Sequence, residues 1–146
     1  MRNVLVDRPH ITRSMLERTR QLMDAHIKDS LVYGYETLAQ QVTLPDADDR
    51  HVLAAAIIGK AKVIVTFNLR DFPASVLTSY SIEAQHPDAF IVRLMDMDVA
   101  NVCVAAHKHR QSLQNPPKTI EQYLDSLERQ GLAATVARLR EYSSFI

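Results

Sequence analysis

One cysteine, three glycines, no tryptophan and no excess of either charge are the first features of this chain. A lone Cys103 excludes an intrachain disulfide and points to a reducing, cytoplasmic setting. Three glycines are too few for a glycine-rich phosphate loop. Lys+Arg and Asp+Glu each number 17, so the formal net charge is zero. No global field draws in nucleic acid or an anionic membrane, and any such partner must meet a local patch. No apolar run approaches the roughly 20 residues that cross a bilayer. The apolar stretch after Met1 is too short for a signal peptide. What is present is an ordinary globular composition, 47% hydrophobic and 23% charged over 146 residues, enough for one domain with a sizeable core.

Asp7-Arg8-Pro9-His10 reads as a turn, and Thr12 as the N-cap of a helix over 12–25 with Met15, Leu16, Leu22 and Met23 on its apolar side. Residues 31–35, rich in β-formers, read as a strand and 36–41 as a short helix. Residues 44–49 form a loop of turn and capping residues, with Pro45 suited to the position before a helix. The helix expected over 49–59 is apolar nearly all round, which predicts burial, with Gly59 placed to end it. The β-branched, non-alternating run 62–67 predicts a strand covered on both faces. Asp71-Phe72-Pro73 breaks the chain before a short helix over 75–80 and a short strand over 81–85. Helices follow: one over 88–95, and a second capped by Asp98 and stopped near 113 by Asn115-Pro116-Pro117. A third is opened by a Thr119–Gln122 capping box, and a last one after Gly131 carries Leu132, Val136 and Leu139. The pattern predicts an α/β fold with a parallel sheet, a core over 1–86 and an α-helical C-terminal extension over 87–146 packing on it.

The chemistry-bearing residues concentrate where an acidic helix start and an apolar strand end can meet at the carboxyl edge of a sheet. Asp49 is the first candidate metal ligand; the plain alternative is a simple N-cap. Asp46 and Asp48 are its neighbours, as capping or outer residues, and three carboxylates in four residues exceed what one cap needs. Asn68 and Asp71 follow the strand, where an Asx turn is the alternative. The Thr66 hydroxyl is placed to orient a carboxylate or a phosphate, or is simply a β-former. Arg50 and Arg70 flank the acids and suit a nucleic-acid backbone. Clustered carboxylates need neutralising, and a hard divalent cation such as Mg²⁺ or Mn²⁺ does so while activating a water. His51 reads as a partly buried helix residue. His107 and His109 do not share a helix face, His10, His26 and His86 lack ligand spacing, and Cys103 reads as a buried small hydrophobe. Lys108, His109, Arg110 and Lys118 form a loose basic region, read first as a solvated helix face and second as a phosphate contact.

The segments 44–56 and 64–73 resemble the second half of the active site of PIN domains. The residues Ile82 to Asp88 and Asn115-Pro116-Pro117-Lys118-Thr119 resemble a bacterial branch of VapC-type ribonuclease toxins. The resemblance covers most of the chain. It implies a partial PIN-like three-layer fold and a Mg²⁺- or Mn²⁺-dependent endoribonuclease of toxin–antitoxin type, with RNA as substrate and an antitoxin as partner. Asp49 falls on the family's third acidic position, and Asn68 and Asp71 on the segment of the fourth. Metal would be held by Asp49 and Asp71, with Asn68 catalytic and Thr66, Asp46, Asp48, Arg50 and Arg70 in support.

The first strand of that family and two of its acids have no counterpart here. Val4-Leu5-Val6-Asp7 has only a superficial likeness to that strand, and Asp7 and Glu36 are weak substitutes for the acids. A sheet without its central strand leaves unpaired backbone, to be closed by homo-oligomerisation or by a strand from another polypeptide. Two fixed carboxylates hold Mg²⁺ weakly. A nuclease completed in trans meets both expectations. The rival is a catalytically inactive PIN-like module acting in protein association, and a misassigned start codon is a third reading.

Overall fold

A computed structural model describes residues 12–27 and 31–146, except the His26 side chain. The expected turn over 7–10, the strand-like Val4–Asp7 run and His10 lie outside the described residues. The elements in chain order are α1 (Arg13–His26), α2 (Glu36–Ala39), α3 (Arg50–Ile58), β1 (Val63–Val65), α4 (Ala74–Leu77), β2 (Glu83–Gln85), α5 (Pro87–Ser112), α6 (Ile120–Arg129) and α7 (Ala133–Arg140). This is a mixed α/β fold with a small parallel sheet and a helical C-terminal part. No helix among the described residues is long and apolar enough to cross a membrane.

The chain divides into two compact units, residues 1–64 with 70–83 and residues 65–69 with 84–146. β1 and β2 pair in parallel. The Glu83 N–H donates to the Lys62 carbonyl at 3.0 Å in the first unit, and the Thr66 N–H to the Gln85 carbonyl at 2.9 Å in the second.

In the first unit, α1 starts where its sequence signal lies: the Thr12 hydroxyl accepts from the Met15 N–H at 3.2 Å. Val42, Leu44, Leu53, Ala54, Ile64, Phe72, Leu77 and Ile82 are buried. Three expectations are corrected here. Residues 31–35 form no strand, because Gly34 turns the chain at φ +75° and Tyr33 is 75% exposed. α3 is not buried all round: only Leu53 and Ala54 are, and Ile58 is exposed. Apolar content alone did not reveal which side is covered, and the short helix α2 packs against it. β1 is covered on one face, with Ile64 buried and Val65 exposed. A β-branched run reads the same whether one face or two are covered. Gly59 does end α3, its N–H donating to the Ala55 carbonyl at 2.8 Å, while Lys60 carries the left-handed turn at φ 54°.

In the second unit, α5 is two helices joined at Asp98, whose φ −155° and ψ 81° leave the helical region. Asp98 caps the second of them. Its Oδ1 accepts from the Asn101 N–H at 3.0 Å and its Oδ2 from the Asn101 amide at 2.6 Å. The Thr119–Gln122 capping box is formed as the sequence predicts, with both reciprocal bonds present. The core joins Met95, Cys103, Ala106, Tyr123, Leu124, Val136, Leu139 and Ile146. In this core α7 packs against both α5 and α6. At ~25 cal/mol per Å² of apolar area, this burial is the dominant favourable contribution.

A candidate acidic metal centre

The loop before α3 is positioned by its buried neighbours. Val42 and Leu44 anchor its entry and Leu53 its exit, so the intervening acids are held at the surface. The Asp46 Oδ1 accepts from the Asp48 N–H at 2.8 Å and opens a 3₁₀ turn, Ala47–Asp49. Asp49 stands at the N-cap of α3 but makes no side-chain capping bond. Its carboxyl group is turned to other carboxylates instead. Asp71 closes the 3₁₀ turn Leu69–Asp71, next to the buried Phe72. Carboxylate oxygens of Asp46, Asp49 and Asp71 lie within 4.8 Å of one another, the last two half-buried.

The electrostatics follow from that crowding. Burial pushes the Asp49 carboxyl above its ordinary value, the negative charges of Asp46 and Asp71 push it further, and its hydrogen bond with Asp71 adds to the effect; His51 opposes. A carboxyl group made reluctant to ionise by burial and neighbouring carboxylates is also one whose charge a cation would relieve. The donor set is three hard oxygens, which suits Mg²⁺ or Mn²⁺ rather than Zn²⁺. His51 is occupied elsewhere: its Nδ1–H donates to the Asp48 carbonyl at 2.6 Å. Arg50 is half-buried, and its Nε is enclosed with no hydrogen-bond partner among the described residues. Arg70 and Asp48 are exposed.

Thr66 and Asn68 belong to the second unit. There the Thr66 hydroxyl accepts from the Asn68 N–H at 3.0 Å, a local turn that occupies one acceptor site of that oxygen. Asn68 is exposed.

Asp88 was not singled out from sequence beyond the start of a helix. Its Oδ2 accepts from the Ala134 N–H at 2.9 Å and its Oδ1 from the Thr135 N–H at 2.7 Å, and the Thr135 hydroxyl donates to its carbonyl at 3.3 Å. α7 has no capping side chain of its own, so α5 supplies one. Burial works to raise the Asp88 carboxyl, but the bonds from Thr135 and Ala134, with His86, hold it below its ordinary value. Nothing in the local sequence could have shown a partner 46 residues away. The basic region is solvated in part, with Lys108 and His109 exposed. Arg110 and Lys118 are half-buried, and the His109 Nδ1 lies 3.0 Å from the Tyr123 hydroxyl. The second unit also holds an apolar cavity of about 680 Å³, lined in part by Leu94, Met97, Val102 and Leu127, with Met97 82% exposed.

Residues 87–141, most of the helical unit, match the family model of the VapC50 C-terminal domain. A longer stretch of the chain is similar to one curated protein. It is 40% identical over 101 residues to "Putative ribonuclease VapC50" of Mycobacterium tuberculosis (strain ATCC 25618 / H37Rv), an alignment covering 69% of this chain. The alignment takes in 59% of that relative, so the chain spans well under two thirds of the relative's length. No solved structure matches the chain.

Proposed function

We propose that the chain carries the acidic site of a Mg²⁺- or Mn²⁺-dependent endoribonuclease of toxin–antitoxin type, with Asp49 and Asp71 as principal ligands and Asp46 as a third. The single supporting observation is the convergence of these three carboxylates within 4.8 Å on a loop and a strand-end turn. The name of the VapC50 relative and the resemblance to PIN domains give the reaction class. A cation held there would supply Lewis-acid chemistry and a more acidic water for in-line attack on the phosphodiester. The residues do the rest. Asp49, made reluctant to ionise by burial and by two neighbouring carboxylates, would be the ligand whose charge a cation relieves most. Asp71, at the end of the turn before the buried Phe72, would supply the second carboxylate ligand. Arg50 and Arg70 hold the phosphate backbone, and Thr66 with Asn68 supports the strand end. Three carboxylates leave an octahedral ion short of protein ligands, so the affinity expected of this chain alone is weak, and a second polypeptide completes the site. An antitoxin is the partner that the family resemblance implies.

The test is RNA cleavage with Mg²⁺ or Mn²⁺ by the intact chain, by Asp49→Asn and by Asp71→Asn. Loss of cleavage of two orders of magnitude or more in both variants supports the site, and cleavage unchanged by Asp49→Asn overturns it.

A second reading, a catalytically inactive module for protein association, is favoured by α1, where Met15, Leu22 and Met23 are each more than half exposed. Absence of divalent-cation binding together with a stable homodimer in sedimentation selects it over the nuclease.

A further inference from the structure

Between Asp98 and Glu121 the chain has no acidic residue, while Lys108, Arg110 and Lys118 fall in that interval with His107 and His109. In a chain of zero net charge this is a local excess of positive charge. The fold gathers part of it at the junction of α5 and α6. The Arg110 Nη1 donates to the Lys118 carbonyl at 3.2 Å, and the Lys118 Nζ to the Ser126 hydroxyl. Both cations are half-buried, and both are bonded to neutral acceptors. The Arg110 Nε is enclosed with no hydrogen-bond partner among the described residues. Among the described residues neither cation makes an ion pair, whereas Arg138 pairs with Asp96 at 2.8 Å and Arg140 with Glu121 at 2.7 Å. Glu121 and Asp125, the first acids beyond the interval, are both engaged by Arg140.

Partial burial of a charge without a counter-ion is costly, and two adjacent cations raise that cost by mutual repulsion. The negative end of the α5 dipole offsets part of it for one cation, which leaves the second unexplained. An anion from outside would neutralise both. Arg110, with a planar fork of donors, and Lys118, a point charge, are the two side-chain types that together grip a phosphate.

We propose that the α5–α6 junction is a phosphate-binding surface for the backbone of RNA, with Arg110 and Lys118 as the contacts and Lys108 at its edge. The choice of RNA rests on the ribonuclease reading; the anion site itself does not. Contacts of this kind position a substrate and carry no sequence information, which suits a chain with no global field to hold nucleic acid.

The experiment is fluorescence-anisotropy binding of a labelled single-stranded RNA oligonucleotide to the intact chain in EDTA, so that cleavage plays no part, repeated across a salt series. Each lost phosphate contact lowers the slope of log K against log salt by about 0.7 on single-stranded RNA. Arg110→Gln/Lys118→Gln is expected to lower it by about 1.4. The control Arg13→Gln/Arg18→Gln removes the same charge from α1 and is expected to leave it unchanged. If the first double variant fails to fold by circular dichroism, the exposed Lys108→Glu gives the same reading by weakening RNA binding through repulsion. Equal slopes for the wild type and the junction variant, an equal loss in the α1 control, or poly-glutamate binding as tightly as RNA would each overturn the proposal. Inorganic phosphate that binds at the junction while RNA does not overturns the RNA assignment. Cleavage is measured separately, so loss of the nuclease reading with RNA binding intact is a distinguishable result.

Discussion

A single carboxylate can hold a helix that lacks a cap of its own. Asp88 accepts the Ala134 and Thr135 amides, two of the orphan donors at the start of α7. Asp88→Ala leaves both unpaired and is expected to destabilise the chain by about 1–3 kcal/mol, read as a shift in the urea midpoint. The pH dependence has a definite sign. The folded-state carboxyl lies below its ordinary value, so its contribution is present in full above the unfolded pKa of about 3.9 and is lost as pH falls through that value toward the folded one. Urea midpoints of wild type and Asp88→Asn, measured over the acid range, are expected to converge as pH drops. A gap that widens would contradict the assignment. This contact was invisible in the sequence because neither end of it is local. Asp46 and Asp49 could be read as a cluster because they sit three residues apart. The approach of Asp71 rested on the general rule that strand ends and helix starts meet at one sheet edge.

At the scale of elements, the legible parts were those specified within one turn. Thr12, Asp98 and the Thr119–Gln122 pair announce helix starts through side chains that bond amides three residues on, and all three are formed. Coverage was not legible in the same way. The run 62–67 and the helix over 49–59 are apolar on several sides, but which side packs depends on neighbours the local pattern does not encode. Gly34 overrode the β-formers around it. The Asp98 kink allows a direct test. Asp98→Ala removes the cap of the second half of α5 and is expected to cost about 1 kcal/mol. Asp98→Ser retains a capping oxygen and is expected to recover most of it in urea denaturation. If both variants lose the same amount, the cap is not what Asp98 contributes.

For the molecule as a whole, charges of equal number are unequally placed: three carboxylates converge on one surface of the first unit, and an acid-free basic segment lies in the second. The acidic cluster works against folding at neutral pH, because Asp49 ionises less readily there than in the unfolded chain. Without divalent cation, Asp49→Asn is therefore expected to stabilise the chain, by about 0–1 kcal/mol after allowance for solvent screening. With Mn²⁺ the order reverses if the cluster is a metal site. A ligand that binds only the folded state stabilises by RT ln(1 + [L]/Kd), about 2.7 kcal/mol at one hundred times Kd. The wild type is expected to rise in Tm along a Mn²⁺ titration and to overtake Asp49→Asn, whose Tm stays flat. Calorimetry on the two proteins with and without Mn²⁺ measures the crossing. It separates a metal site from a merely repulsive cluster, because repulsion alone predicts the same ordering at every Mn²⁺ concentration beyond general ionic screening, and a matched NaCl series measures that screening.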